Sequence, residues 1–436
     1  MANYINEVNE IPEIASVDVL VCGGGPAGLG ASVMAARLGA SVMVIEAQGC
    51  LGGIATAGMM SHWGGKSSSK VMREIWDLTY EKAKEIGWDE SSGCGRDAIY
   101  HDVQKIVLEE LMQKEGIRVL YHTLVCKSVL ENGAIIGVIV ENKSGRGFIR
   151  AKRVVDSTGD GDVAASAGVP YVKGRETDGR MQPCTIMFNV GGVDCERAVF
   201  PPSFETTVQT EKGELQALAK ELLPFPAGHV LLYRQPLPNT VCCNMTNAIE
   251  IDGTDGESLT KGIFTCRSQI APIIKCLRED VPGYEKCWLM SSASLIGIRE
   301  TRHFKGIKAL TEEDCSEARQ HEDAVVFDAY FNFDVHNISG SGLDKTGCQH
   351  GIMQTKGYTI PYGCLGPEKI DGLLLCGRNI SGTHMAHSNF RAMPICMGIG
   401  EAAGAAAALA IKQRIAVRDL DPTEIRAHIV KAKKES

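Results

Sequence analysis

One stretch decides the fold: Val17–Glu46, which reads VDVLVCGGGPAGLGASVMAARLGASVMVIE. Its apolar start, Val17, Val19, Leu20, Val21 and Cys22, predicts a buried strand that runs directly into Gly23-x-Gly25-x-x-Gly28. A small-residue helical stretch follows to Leu38, Gly39 supplies its stop, and Ala40 to Ile45 read as a second apolar strand closed by Glu46. Strand, glycine turn, helix and strand in this order make the βαβ unit that binds dinucleotides. Gly23 permits the tight turn, and Gly25 lets backbone N–H groups approach a diphosphate, with Pro26 and Ala27 in the same loop. Gly28, together with Ala27, Ala31 and Ala35, lets the helix lie close on the sheet. The helix N-terminus offers free N–H groups and a partial positive charge to the diphosphate. Glu46, with Ala47 beside it, is placed to accept hydrogen bonds from ribose hydroxyls.

Outward from this unit, Cys50 to Gly58 is a glycine-rich loop containing Gly52, Gly53 and Ile54, followed by Ser61-His62-Trp63-Gly64-Gly65 and a Ser/Lys patch expected in a surface loop or lid. Helical spacing predicts helices over Val71–Ile86 and Asp102–Glu115. Val119–Thr123 reads as a strand. Leu124–Leu130, Ile135–Glu141 and Gly147–Ala151 read as an antiparallel meander, with turns at Glu131-Asn132-Gly133 and Asn142-Lys143-Ser144-Gly145. Arg153 to Asp162, RVVDSTGDGD, predicts a strand ending in a second glycine loop, with a short helix over Val163–Ala167. From Thr185 to about Asp334 the chain is richer in Pro and charge and mixes strands with helices at Glu214–Leu222 and Ser258–Arg278. Buried strands return at Tyr358–Tyr362 and Gly372–Cys376, and a helix with a small face of Gly400, Gly404 and Ala408 spans Gly398–Gln413. The expectation is an α/β protein. A Rossmann-like lobe, with a parallel sheet and an antiparallel β-meander, is built from residues 14–184 and 335–436, and an inserted α+β substrate lobe spans 185–334.

Composition narrows the function. The chain has 436 residues, enough for two lobes with sizeable cores, and is 44% hydrophobic and 22% charged, as expected of a soluble enzyme. A net charge of −8, with no basic cluster beyond a short Lys431–Lys434 tail read as a solvated helix end, argues against nucleic acid as a partner. The opening MANYINEVNEIPEIASVD lacks a charged-then-apolar leader pattern. The longest low-charge segment, Ala392–Ile411, carries Glu401 among Gly and Ala, so it reads as a buried helix and no membrane partner is expected. None of the sixteen cysteines stands at C-x-x-C spacing, so no zinc knuckle or iron–sulfur cluster is announced. They read as reduced thiols of a cytoplasmic protein.

Six segments in order carry a resemblance: the opening fingerprint, the Gly52-Gly53 loop, Val155-Asp156-Ser157-Thr158-Gly159-Asp160-Gly161-Asp162, Gly297-Ile298-Arg299-Glu300-Thr301-Arg302, Leu374-Leu375-Cys376-Gly377-Arg378, and the ending from Arg391 to Gly404-Ala405-Ala406. Together they resemble the FAD-dependent oxidoreductase family, which groups with glutathione reductase-type flavoproteins, over nearly the whole chain. The resemblance implies FAD as cofactor, in a lobe assembled from both ends of the chain. It implies that Val125 holds adenine through its backbone, that Thr158, Gly159 and Asp160 flank the cofactor, and that Gly377 and Arg378 approach the ribityl–diphosphate region. Many relatives carry Asp or Glu directly after that last glycine, where this chain has Arg378-Asn379.

For the chemistry itself, a flavin enzyme needs positioning, a proton carrier and charge compensation. Among eleven histidines, His384 and His62 are the leading proton carriers, followed by His387 and His336. Arg299 and Arg302 are expected to face a substrate carboxylate or the flavin, or to form an ion pair with Glu300 or Glu312. Arg391 and a helix N-terminus near Gly398 are expected to stabilise charge on a reduced flavin, or else to make a surface ion pair and a packing face. His384-x-x-His387 has metal-ligand spacing, but no third ligand is signposted, and no metal is expected. With no second GxGxxG, a separate nicotinamide domain is not visible. The expected function is hydride transfer between flavin N5 and a carbon of a small polar substrate. The alternatives are a flavin-bearing electron-transfer subunit of a larger redox complex and a flavin-free NAD-dependent dehydrogenase. A homo-oligomer or a redox partner protein is compatible with either.

Overall fold

The alternation that decides the fold is realised where the sequence places it. In a computed structural model describing residues 8, 10–88, 93–202, 206–342 and 354–430, β1 (Glu13–Cys22) leads through the glycine turn into α1 (Pro26–Arg37) and then β2 (Val42–Ile45). β1 and β2 run parallel, with Val19 opposite Val42 and Cys22 opposite Ile45. The Lys431–Lys434 tail lies outside the described residues.

Two helices, α2 (Lys70–Glu85) and α3 (His101–Lys114), carry the chain to β3 (Arg118–Leu120), which adds a parallel strand outside β2. The meander follows as β4 (Leu124–Glu131), β5 (Ala134–Asn142) and β6 (Gly145–Asp156). The sequence divides the last of these at Lys152, yet it is one continuous strand. Its first half alternates in burial because it pairs antiparallel with β5 alone on that side, with Gly137 opposite Arg150. Its second half is buried on both faces, as a parallel strand should be.

After α4 (Asp162–Ser166) and β7 (Tyr171–Lys173) comes a second sheet, built from β8 (Phe188–Gly191), β11 (Leu232–Arg234), β12 (Val241–Cys243) and β13 (Trp288–Ser292) in the antiparallel order β11-β12-β8-β13. A small ladder of β9 (Gln209–Thr210) and β10 (Gly213–Glu214) precedes α5 (Leu215–Leu222), and α6 (Gly256–Asp280) covers the sheet. Asp255 starts α6 two residues before the expected position by accepting the Ser258 N–H at 2.8 Å. Phe188, Val190, Leu215, Val241, Ile273 and Tyr284 form the core of this lobe.

β14 (Arg302–Phe304) pairs with β7, and α7 (Glu312–Ser316), β15 (Ala324–Ala329), β16 (Tyr358–Pro361) and β17 (Leu373–Leu375) follow. Phe304, Leu310, Val325 and Phe333 share the core of the first lobe, although the sequence assigned residues up to 334 to the second. β17 joins β6 in parallel, with Leu373 opposite Val154 and Leu375 opposite Asp156. α8 (His384–Phe390), α9 (Met393–Gln413) and α10 (Pro422–Val430) close the chain.

α9 is long and apolar enough to cross a membrane, but 94% of its apolar stretch is buried inside the protein, against α1 and the sheet. Glycines make the crossing possible. A Cβ at Gly400 would fall on the Ala27 carbonyl oxygen, and one at Gly404 on that of Ala31. The buried Glu401 at the middle of α9 accepts from Ser69 Oγ at 2.5 Å and from the Val71 N–H at 2.8 Å. Ser67 Oγ donates to the Pro394 carbonyl at 2.6 Å. The expected Ser/Lys surface loop is therefore buried at Ser67 and Ser69, because Ser69 is the N-cap of α2 and a carboxylate at that helix end is favourable.

Candidate active site

Three glycine loops meet at the start of α1. Gly23 (φ 103°) turns the chain so tightly that a Cβ there would come within 2.7 Å of the Ser157 carbonyl carbon, and one at Gly28 would fall on the Gly23 carbonyl oxygen. The Gly52 N–H donates to the Gly24 carbonyl at 2.8 Å, and a Cβ on Gly53 would lie 3.0 Å from Gly25 Cα. Gly377 (φ 92°) approaches Ala27, where an added Cβ would be 2.9 Å from the Ala27 methyl. In contrast, a Cβ at Gly25 would meet nothing within 4 Å. No side chain caps α1, and its first turn contains Pro26 but no acidic residue. Open space, bare N–H groups and a glycine surround fit a diphosphate. Glu46 Oε2 accepts from the Gly24 N–H at 2.6 Å and Oε1 from the Gln48 N–H at 2.8 Å. Ala47 is exposed, Ile54 is half-buried with Cδ1 near Gly297, and Val125 lies in β4 opposite Val140.

The second glycine loop is held from beneath. Thr158 Oγ1 donates to Asp156 Oδ1 at 2.7 Å, the Ala164 N–H donates to Oδ2 at 2.8 Å, and burial still pushes the Asp156 carboxyl up to about 6. Asp160 accepts from Arg378 Nη2 at 2.8 Å and from Thr301 Oγ1 at 2.7 Å, while the Arg378 guanidinium packs on Gly159. Arg302 donates to the Asp160 carbonyl and to Asp162 Oδ1, each at 2.9 Å. It pins this loop, with an acidic partner in Asp162 rather than the expected Glu300 or Glu312. Segments far apart in sequence, around 160, 301 and 378, are thus one ion-paired unit.

Glu300 takes neither of the expected arginine partners. Its Oε1 accepts from His303 Nε2 at 2.7 Å and His384 Nδ1 at 2.6 Å, and its Oε2 from the Gln182 N–H at 3.0 Å. Glu312 accepts from Thr383 Oγ1 at 2.8 Å. Against the cost of burial, the two imidazoles hold the Glu300 carboxyl well below the usual carboxylate range. Burial opposes charge on His384 too, but the bonded carboxylate outweighs it and raises that imidazole. His387 is driven well down by burial and by His303, whose ring stands edge-on to it at 4.7 Å. Glu300, His303 and His387 bring one ligand atom each within 4.8 Å of one another, a trio that takes in His387 of the expected pair but not His384. The 2.6–2.7 Å separations at Glu300 are hydrogen-bond lengths; ligands about 2.0–2.1 Å from a tetrahedral ion stand more than 3 Å apart. Glu300, His303 and His384 form a hydrogen-bonded cluster.

The other expected side chains converge between the lobes. Arg391, at the end of α8, donates from Nη2 to the carbonyl oxygen and to Oδ2 of Asp334, each at 2.8 Å, and its buried Nε has no acceptor among the described residues. Its ion pair is real but enclosed rather than on the surface. His336 Nε2 lies 3.2 Å from Asp334 Oδ1. Arg299 is 9% exposed and donates from Nη1 to the Pro183 carbonyl at 2.6 Å. Burial, reinforced by the Arg391 charge, lowers it to about 10. Burial and the Arg299 charge push His336 down to about 4, and burial with His336 nearby pushes His229 down to about 3. His62 Nδ1 is 2.7 Å from Ser61 Oγ, its ring lies 4.9 Å from that of Tyr233, and burial lowers it. Tyr233 in turn feels the charges of Asp334 and Arg299.

Three corrections follow. His384 belongs to the Glu300 cluster rather than to the Arg391–Asp334 ion pair. α9 begins at Met393, so Gly398 lies inside the helix, packed near Ser67 and Val326, and has no helix-terminal N–H to offer. The sequence reading missed Asp334, His229 and Tyr233. Only Asp334-x-His336 left a signal, two polar residues on one face of an extended segment that follows the aromatic run Tyr330, Phe331 and Phe333.

A βαβ unit with an uncapped helix start, completed by a strand and helix from the C-terminal end and facing an inserted antiparallel lobe, defines a two-lobe dinucleotide-binding oxidoreductase. The chain belongs to the FAD dependent oxidoreductase family, whose model matches residues 18–429. Its cofactor is accordingly FAD, not NAD alone. No curated protein sequence matches it. Similar solved structures include a geranylgeranyl bacteriochlorophyll reductase-like protein from Thermoplasma acidophilum (16% identity, TM-score 0.48, covering 96% of this chain and 84% of that one). Others are the flavin-dependent brominase Bmp2 (12%, 0.49, 95% and 83%) and the p-nitrophenol 4-monooxygenase PnpA from Pseudomonas putida DLL-E4 (12%, 0.48, 96% and 87%).

Proposed function

We propose that this FAD-dependent oxidoreductase exchanges a hydride with a carbon of a small polar substrate held between the lobes. The observation that carries the reading is the grouping of Arg299, Asp334, His336 and Arg391 with Tyr233 and His229 of the inserted lobe. Gly23, Gly25, Pro26, Ala27 and Gly28, with Gly52 and Gly53, hold the diphosphate; Glu46 and Ala47 take the ribose, and Val125 the adenine. Thr158, Gly159, Asp160, Gly377 and Arg378 line the next section, and Ile54 packs beside it. FAD bound there supplies a two-electron hydride acceptor or donor at N5. The accompanying proton is carried by His62, which burial keeps neutral and which Ser61 fixes through Nδ1. His384 is a positioning residue that acts through Glu300.

The test is anaerobic mixing of the FAD-loaded protein with hydroxy acids, sugars and unsaturated acids. The reading expects at least one donor to bleach the flavin band, and more slowly when deuterium replaces hydrogen on the reacting carbon. Bleaching only by a reduced partner protein favours an electron-transfer subunit instead.

A further inference from the structure

We infer that the substrate between the lobes is a monocarboxylate, held by Arg299 and Arg391. This rests on the hydride-transfer reading and supplies its substrate class.

The argument is a charge count. Arg391 has its counter-ion in Asp334, at 2.8 Å. The charged groups acting most strongly on Arg299 are that same Asp334 and Arg391, which repels it. His336 and His229, the nearby titratable groups that add no negative charge, are held neutral. Two guanidiniums therefore share one carboxylate, leaving one positive charge in excess in a place where Arg299 is 9% exposed. A guanidinium enclosed without a counter-ion is strongly disfavoured, so the enclosure favours an anion brought in by a ligand.

Donor geometry agrees. Arg299 offers five N–H donors, and Nη1 to the Pro183 carbonyl is its hydrogen bond among the described residues. Arg391 keeps a buried Nε with no acceptor among them. Planar guanidinium forks match a carboxylate in two-point contact. An excess of a single charge balances a monoanion; a phosphate dianion would leave the chamber negative.

The experiment uses FAD-loaded protein titrated with acetate and with its neutral isostere acetamide, following the visible flavin band and thermal stability. Expected are saturable binding of acetate and binding of acetamide at least about tenfold weaker. Arg299→Lys keeps the charge but removes the fork, and should weaken acetate by about tenfold or more while flavin content stays unchanged. Arg391→Lys repeats the test should the first variant not fold. Equal binding of acetate and acetamide, or unchanged acetate affinity in a folded variant, overturns the inference. In the donor screen, bleaching by neutral sugars as fast as by hydroxy acids sinks the carboxylate and leaves hydride transfer standing. A flavin that no organic donor bleaches sinks hydride transfer, while the acetate titration still judges the arginines.

Discussion

At Gly25 the missing side chain faces no protein atom, whereas at Gly23 and Gly28 it is required by backbone a few ångströms away. The three glycines of one motif thus answer to different constraints. Gly25 has φ −72°, which any residue can adopt, so Gly25→Ala is expected to leave apoprotein stability within about 0.5 kcal/mol. The methyl would stand where the diphosphate must approach the N–H groups. FAD affinity should fall at least about tenfold, read by fluorescence titration beside a thermal melt of the apoprotein. A variant that melts early, or binds FAD normally, contradicts this account. These residues were legible because turn chemistry and strand order are local. His229 and Tyr233 were not, because each acquires meaning from charges on segments about a hundred residues away, and Asp334 was not because its partner Arg391 lies on a later helix. Glu300 shows the same limit. Its neighbours in sequence are Arg299 and Arg302, but its partners are His303, on the next strand, and His384.

At the scale of elements, α1 and α9 cross with their backbones in contact at Gly400 and Gly404. The small face was visible in the sequence, but its partner was not, since a stripe of Gly and Ala suits a sheet, a helix or a cofactor equally. Gly400→Ala should push α9 away from α1 and destabilise the protein by about 2 kcal/mol or more, measured by urea unfolding. Because α1 carries the diphosphate-facing N–H groups, the same variant should also retain less FAD on gel filtration. Undiminished stability would mean that the helices can part at no cost. The start of α9 was misread by five residues for a related reason. Met393-Pro394 lacks a side-chain cap, and the Pro394 that marks the first turn was passed over for Gly398, whose place is in the packing against Ser67.

For the whole molecule, buried neutral histidines set the response to acid. His229 and His336 titrate near 3 and 4 in the folded protein, and His387 lies well below its ordinary value, against about 6.5 when unfolded. The unfolded chain therefore binds more protons below pH 6.5, and stability falls as pH drops from about 6.5 towards 4. Asp156, pushed up to about 6, and Glu401, also raised by burial, take up protons in the folded state and oppose part of this. His384, raised by the Glu300 carboxylate, adds stability that is full below about 6.5 and lost as pH rises through its raised value. Glu300, held low by its two imidazoles, loses its share only as pH falls below the ordinary carboxylate range. One to two net protons give roughly 1.5–3 kcal/mol per pH unit, to be measured as urea midpoints between pH 7 and 4. A flat profile would show those histidines to be solvated. A different consequence follows from the long strand β6, whose second half is flanked by β1 from the N-terminal side and by β17 from residues 373–375. During synthesis, the nascent chain must wait for β17 and α9 before its first lobe can close. The inserted lobe, complete once β13 emerges, can fold ahead of it on the ribosome, so the lobe whose motif is translated first is the one assembled last.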